Sequence, residues 1–177
     1  MRTLFAVVCL ALLFTLPVHA QEDLLAARDL YTGANYEDAL VVLSRLDSPG
    51  SAPPDRLAIN QYRAFCLLAL GRTAEAERAI EAVVSADLLF HPAEADASPR
   101  LRSAFASVRQ RILPAMVQQE YAQAKAAFER ADFATAIAEF DRVLQALGDP
   151  DLGEAAGRPP LADLRTLATG FRDLSVR

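Results

Sequence analysis

From residue 21 to the end of the chain, apolar residues recur at intervals of three and four. No stretch shows the period-two alternation of a half-buried strand. Leu24, Ala27, Leu30 and Tyr31 mark a first helix that stops near Gly33, and Ala39, Leu40, Leu43 and Leu46 mark a second over about 36–47. The run from Ser48 to Pro54 reads as a loop by its Ser, Pro and Gly content. A third helix is expected over about 55–70 with Leu57, Tyr62, Cys66 and Ala69 or Leu70 inward, and a fourth carries Ala76, Ala79, Ile80 and Val83. After an interruption around Phe90-His91-Pro92, Ser98 supplies a capping hydroxyl and Pro99 suits the first helical position. Leu101, Phe105, Val108 and Ile112 then share a face, and Pro114 is expected to end or kink that helix. Val117, Tyr121, Ala124 and Phe128 mark the next helix, and Ala136, Ile137, Phe140, Val143 and Leu144 its partner. Residues 148–160 are rich in Gly, Pro and Asp and read as a loop before a last amphipathic helix over about 160–175. The class is all-α.

Three segments align on one another: LYTGANYEDALVVLSRL from Leu30, LLALGRTAEAERAIEAV from Leu67, and AAFERADFATAIAEFDRV from Ala126. Each joins two helices by a tight turn. Each then places an alanine early in the second helix (Ala39, Ala76, Ala136) and a larger apolar residue four later (Leu43, Ile80, Phe140). A small residue where helices cross lets the backbones approach, and the larger one fills the adjacent groove.

This pattern resembles the tetratricopeptide repeat (TPR), a helix–turn–helix unit of about 34 residues. Ala27, Ala64 and Ala124 match the small residue the family places in the first helix, and Ala34, Gly71 and Ala131 its turn residue. Tyr36 and Phe133 match the aromatic that opens the second helix, Thr73 replaces it in the middle copy, and the early Trp and closing Pro are missing throughout. Repeats are expected at about 21–47, 57–87 and 117–147, with a loop and helix inserted at 88–113. The segment SPRLRSAFASVRQRILP looks like an insertion found in bacterial envelope proteins that carry such repeats. The resemblance implies antiparallel helix pairs stacked as a short solenoid, with the helix at 160–175 capping the third pair, because each pair buries its apolar face only against a neighbour. It also implies a groove lined by the first helix of each pair that accepts an extended peptide or a partner helix. The matching positions are Arg28, Tyr31, Gln61, Phe65, Tyr121, Lys125 and Phe128.

Composition sharpens this picture. Alanine, the best helix former and a poor strand former, is about a fifth of the chain. The formal net charge of -5 leaves no basic excess for a phosphate backbone, so nucleic acid is not an expected partner. Residues 1–20 have the form of a signal peptide: Arg2, an apolar run from Leu4 to Leu16, Pro17, then Val18-His19-Ala20 before the expected cut. The run is too short for a permanent span. A domain over 21–175, exported to the periplasm or secreted, follows.

That domain retains one thiol, Cys66, and one imidazole, His91. Cys66 lies at helical spacing with Tyr62 and Ala69, as a buried structural thiol would. Glu94 and Asp96 lie close to His91 in sequence, but a polar turn accounts for all three without a metal. No Gly-rich phosphate cradle and no Gly-x-Ser-x-Gly turn is present. The expected function is therefore non-enzymatic: a scaffold or adaptor for a protein partner in the cell envelope, without cofactor or metal. The alternatives are a carboxylate-based hydrolase or lyase using segment 87–113, and a self-assembling structural protein.

Overall fold

A computed structural model describes residues 18–47 and 53–176. It is all-α: α1 (Val18–Thr32), α2 (Tyr36–Leu46), α3 (Pro53–Ala69), α4 (Thr73–Ala86), α5 (Pro99–Glu129), α6 (Phe133–Leu147), a 3-10 segment (Pro150–Gly157) and α7 (Leu161–Ser175). Helices adjacent in sequence pack together, α1 on α2, α2 on α3, α5 on α6 and α6 on α7. Residues 1–17, which carry most of the expected signal sequence, and 48–52 of the expected loop lie outside the described residues. The expected cut after Ala20 falls within α1. No helix among the described residues is long and apolar enough to cross a membrane.

The described residues form two compact units, divided after Ala76. In the first, α1, α2 and α3 pack on one another around Ala27, Leu43 and Ile59, with Leu24, Val42, Leu46 and Tyr62 completing the cluster. In the second, α5, α6, α7 and the 3-10 segment form the core, with α7 packed against both α5 and α6. Its inward face carries Leu161, Ala168 and Ser175, and the ring of Phe171 stacks on Phe140, with centroids 5.9 Å apart. The C-terminal helix thus covers the α5–α6 pair.

The three aligned turns share one geometry. The chain enters the left-handed region at Ala34 (φ 59), Gly71 (φ 75) and Ala131 (φ 58). At each, the N–H of that residue donates to the carbonyl three back: Ala34 to Tyr31, Gly71 to Leu68, Ala131 to Phe128. The next N–H donates to the carbonyl five back: Asn35 to Leu30, Arg72 to Leu67, Asp132 to Ala127. This is the Schellman closure, which satisfies carbonyls that a helix end otherwise leaves without donors. The carbonyls of Asn35, Arg72 and Asp132 then accept the first bonds of the next helices, from Ala39, Ala76 and Ala136. These three alanines, their counterparts Ala27, Ala64 and Ala124, and the trio Leu43, Ile80 and Phe140 are all 0% exposed. The internal repeat is therefore a repeat of backbone geometry and burial as well as of letters.

Two expectations are corrected. Pro114 does not end its helix: α5 runs unbroken over Pro99–Glu129, so residues 98–113 are its first half and not a separate inserted helix. Proline removes the donor that the Gln110 carbonyl would use. Gln110 is exposed to water, while Leu113 and Val117, on either side of the proline, are fully buried and hold the helix to its neighbours. Ser98 caps α5 as expected, accepting from the Leu101 N–H at 3.3 Å. The second correction concerns residues 148–160, expected as a loop. They contain the 3-10 segment, opened by Asp149, whose carboxylate accepts from the Asp151 N–H at 2.9 Å.

Candidate functional site

The inward face of α5 follows a ladder of fours, Leu101, Phe105, Arg109, Leu113 and Val117, all buried. An arginine therefore occupies the middle of an apolar stripe, and Ile112, expected inward, is only partly covered. The Arg109 side chain is 0% exposed. Its Nη1 donates to the carbonyls of Leu88 (3.0 Å) and Phe90 (2.8 Å), and its Nε to Asp151 Oδ2 (2.7 Å). Its Nη2 donates to Asp149 Oδ2. Burial of a guanidinium is tolerated only when its donors and charge are answered, and this one is held on both counts. The result ties the segment after α4 and the 3-10 segment to the middle of α5.

His91 stands at the edge of this node, with Nε2 3.4 Å from Asp149 Oδ2 and 3.6 Å from Asp151 Oδ2. Its Nδ1 is 3.0 Å from the Leu89 carbonyl oxygen. The carboxylates beside it are thus Asp149 and Asp151, more than fifty positions along the chain, and not the sequence neighbours Glu94 and Asp96. The three groups place ligand-type atoms within 4.8 Å of one another, a spacing that also occurs around metal ions. Here the cation joining the two carboxylates is the Arg109 guanidinium. Next to the node lies a cavity of about 300 Å³ bounded by His91, Glu94, Arg102, Phe105, Arg109 and Asp151.

The expected partner-binding residues fall into two sets, one in each unit. In the first, Arg28 is exposed and Tyr31 and Gln61 half-buried, whereas Phe65 is 1% exposed. The Tyr31 ring lies 5.6–5.9 Å from those of Tyr36, Tyr62 and Phe65, so Tyr31 and Phe65 do come together, but as part of an aromatic cluster. Phe65 belongs to the core and not to an open groove wall, because five consecutive residues of α3, 64–68, are buried. In the second unit Tyr121 lies against Phe140 (5.9 Å) and Phe128 against Phe133 (5.7 Å) and Phe171 (5.1 Å). Lys125 pairs with Glu129, one turn along the same helix, and that hydrogen bond pushes its ammonium above the usual lysine range. Burial likewise raises the Tyr121 phenol. Cys66 is fully buried, and desolvation pushes its thiol up to about 11.

In the first unit a more open hollow of about 500 Å³ is bounded by Glu37, Val41, Arg45, Arg63 and Arg72. Two of its cations are already engaged. Arg63 holds Asp47 at 2.9 Å, and Arg72 grips Glu75 through two bonds of 2.7 and 2.8 Å.

The Arg109 node escapes sequence reasoning because an arginine on an apolar face reads as a solvated position, and its partners lie 40 and 42 residues away. The one trace is the DPD run at 149–151, which passes for turn chemistry. No protein-family model matches the chain, and no curated protein or solved structure matches it either.

Proposed function

We propose that the chain is an exported, non-catalytic helical-repeat scaffold of the TPR type, which binds a protein or peptide partner in the periplasm or outside the cell. The observation that carries this reading is the turn repeated at Ala34, Gly71 and Ala131, with fully buried alanines on both sides of each turn. Such a pair-by-pair architecture is a surface-presenting one, in which each repeat buries one face and offers another. The first twenty residues support the export half of the proposal by their order of positive, apolar and small residues.

The partner-facing side chains that remain accessible are Arg28, Tyr31 and Gln61 in the first unit and Tyr121, Lys125 and Phe128 in the second. Tyrosine, phenylalanine and arginine are the residue types that anchor interfaces. The test is photo-crosslinking in living cells, with a benzophenone amino acid at position 28, 61 or 125 and, as control, at exposed Arg158. Positions 28, 61 and 125 should yield one shared adduct that the control position lacks. Equal labelling at all four, or none, removes the groove reading. Export is checked on the same cells, since the mature chain should begin at Gln21 in the envelope or medium fraction.

A further inference from the structure

Two faces of the molecule, one in each unit, hold a single unanswered charge beside an exposed apolar side chain. In the first unit the face is the hollow on α2. Of the charged residues that bound it, Arg63 holds Asp47, and Arg72 holds Glu75 and reaches Glu37 at 3.6 Å. Arg45 is exposed and, among the described residues, has no carboxylate partner. Val41, one turn before it on the same side of α2, is 50% exposed, and Leu40 and Leu67 also line the hollow.

In the second unit the face is the outer side of α7. Arg172 holds Asp141 and lies 3.7 Å from Asp173, and Arg165 donates to the Leu147 carbonyl. Asp163 is exposed and, among the described residues, has no cationic partner. Leu167, one turn after it, is 47% exposed, and Leu174, two turns further, is 52% exposed. A helix that ends a repeat array and meets only water has a polar outer side, and this one does not. Gly170 lies in the same seam. A Cβ there would meet nothing within 4 Å, so packing within the chain does not require a residue that weakens the helix. Its bare backbone leaves room for another helix to approach.

The two seams agree in sign, chemistry and spacing. Both helices rise by about 1.5 Å per residue, and the step from Asp163 to Leu167 equals the step from Arg45 back to Val41. Laid antiparallel, the seams place Asp163 on Arg45 as Leu167 meets Val41. A parallel arrangement with the same apolar contact would instead set Asp163 against Glu37.

We propose that the chain self-associates through these faces, α7 of one copy docking antiparallel on α2 of another. The occupant is a second copy because α7 carries the negative charge, the apolar side chains and the spacing that the hollow lacks. The two faces differ, so the contact is heterologous and every copy offers both halves. Neither face contains a residue of the proposed partner-binding set.

The experiment is sedimentation velocity of the chain as cells produce it, over about 1–300 μM. The weight-average mass should rise with concentration. Arg45→Asp and Asp163→Arg should each weaken association at least about tenfold, since each sets like charges together. An equimolar mixture of the two variants should regain wild-type association, because it restores opposite charges at the contacts between them. The chain carrying both substitutions should do the same. Both positions are exposed, so thermal melts should match the wild type. A wild type that stays monomeric to about 300 μM overturns the proposal. So do single variants that associate like the wild type, or a mixture as weak as its components. Crosslinks at positions 28, 61 and 125 are read independently of all these results.

Discussion

The helix-pair turns and the Arg109 node hold this chain together by opposite means. Each turn is local, built from backbone bonds between residues three to five apart, and sealed by alanines small enough for helices to meet. The node is non-local: a buried charge in the middle of α5 is satisfied by carboxylates 40 and 42 residues on and by carbonyls about 20 residues back. The turns tolerate small changes because each rests on several redundant bonds. The node does not, because removing one member leaves the others buried and uncompensated.

The largest expected effect follows from that asymmetry. Arg109→Met keeps much of the side-chain volume but strands Asp149, Asp151 and two buried carbonyls, and should cost about 3–5 kcal/mol on chemical denaturation. Adding Asp149→Asn and Asp151→Asn to the same chain should recover a large part of the loss, since the penalty comes from uncompensated charge. A single variant that melts like the wild type would show that water reaches the node.

At the turns the corresponding lesion is steric. Ala39→Leu or Ala136→Leu drives extra methylene groups into positions that are 0% exposed, where α2 meets α1 and α6 meets α5. Overpacking of this kind costs about 1–3 kcal/mol. The same substitution at Ala134, exposed on α6, should leave the denaturation midpoint unchanged. If buried and exposed alanines respond alike, the shared alanine spacing reflects helix propensity alone.

These two regions also explain what could be read from the letters. The helix pairs, the turn residues Ala34, Gly71 and Ala131, and the covering role of the last helix were legible because burial at helical spacing repeats itself. Of the two outcomes expected at Pro114, an end to the helix is the one that failed, because Leu113 and Val117 packing on either side outweighs the lost bond. Phe65 misled differently: the repeat pattern assigns it a face but cannot report that α3 is buried around most of its circumference at 64–68. The His91 surroundings were least legible. Contact between residue 91 and residues 149 and 151 depends on how α5 and the 3-10 segment pack, and no periodicity encodes that.

A finer comparison lies within the turns themselves. A Cβ at Gly71 would meet nothing within 4 Å, so Gly71→Ala tests backbone conformation with no steric clash. At φ 75 the change should cost about 1 kcal/mol. The reverse changes, Ala34→Gly and Ala131→Gly, relieve the same strain and restore the same freedom to the unfolded chain, so they should stabilise by up to about 1 kcal/mol. A loss of stability at Ala34 or Ala131 would show that the unfolded-chain entropy outweighs the strain at these turns.

The smallest effect near neutral pH concerns Cys66, buried in α3 beside the second turn. Burial pushes its thiol up to about 11, so the folded chain retains a proton that the unfolded chain has already released. An acid raised on folding contributes nothing differential below its unfolded value and destabilises the fold as pH climbs from there toward the folded value. Wild type and Cys66→Ala should therefore keep a constant stability difference up to about pH 8.5, after which wild type alone loses about 1.4 kcal/mol per pH unit. Comparing the two chains removes the titration of tyrosines and Lys125, which both share. Alkylation of the native thiol should remain slow over the same range, because ionisation and access both require opening of α3. Rapid labelling at pH 8 would mean that the first unit opens there, and would place the weakest link of the chain in the alanine-sealed pairs instead of the charged node.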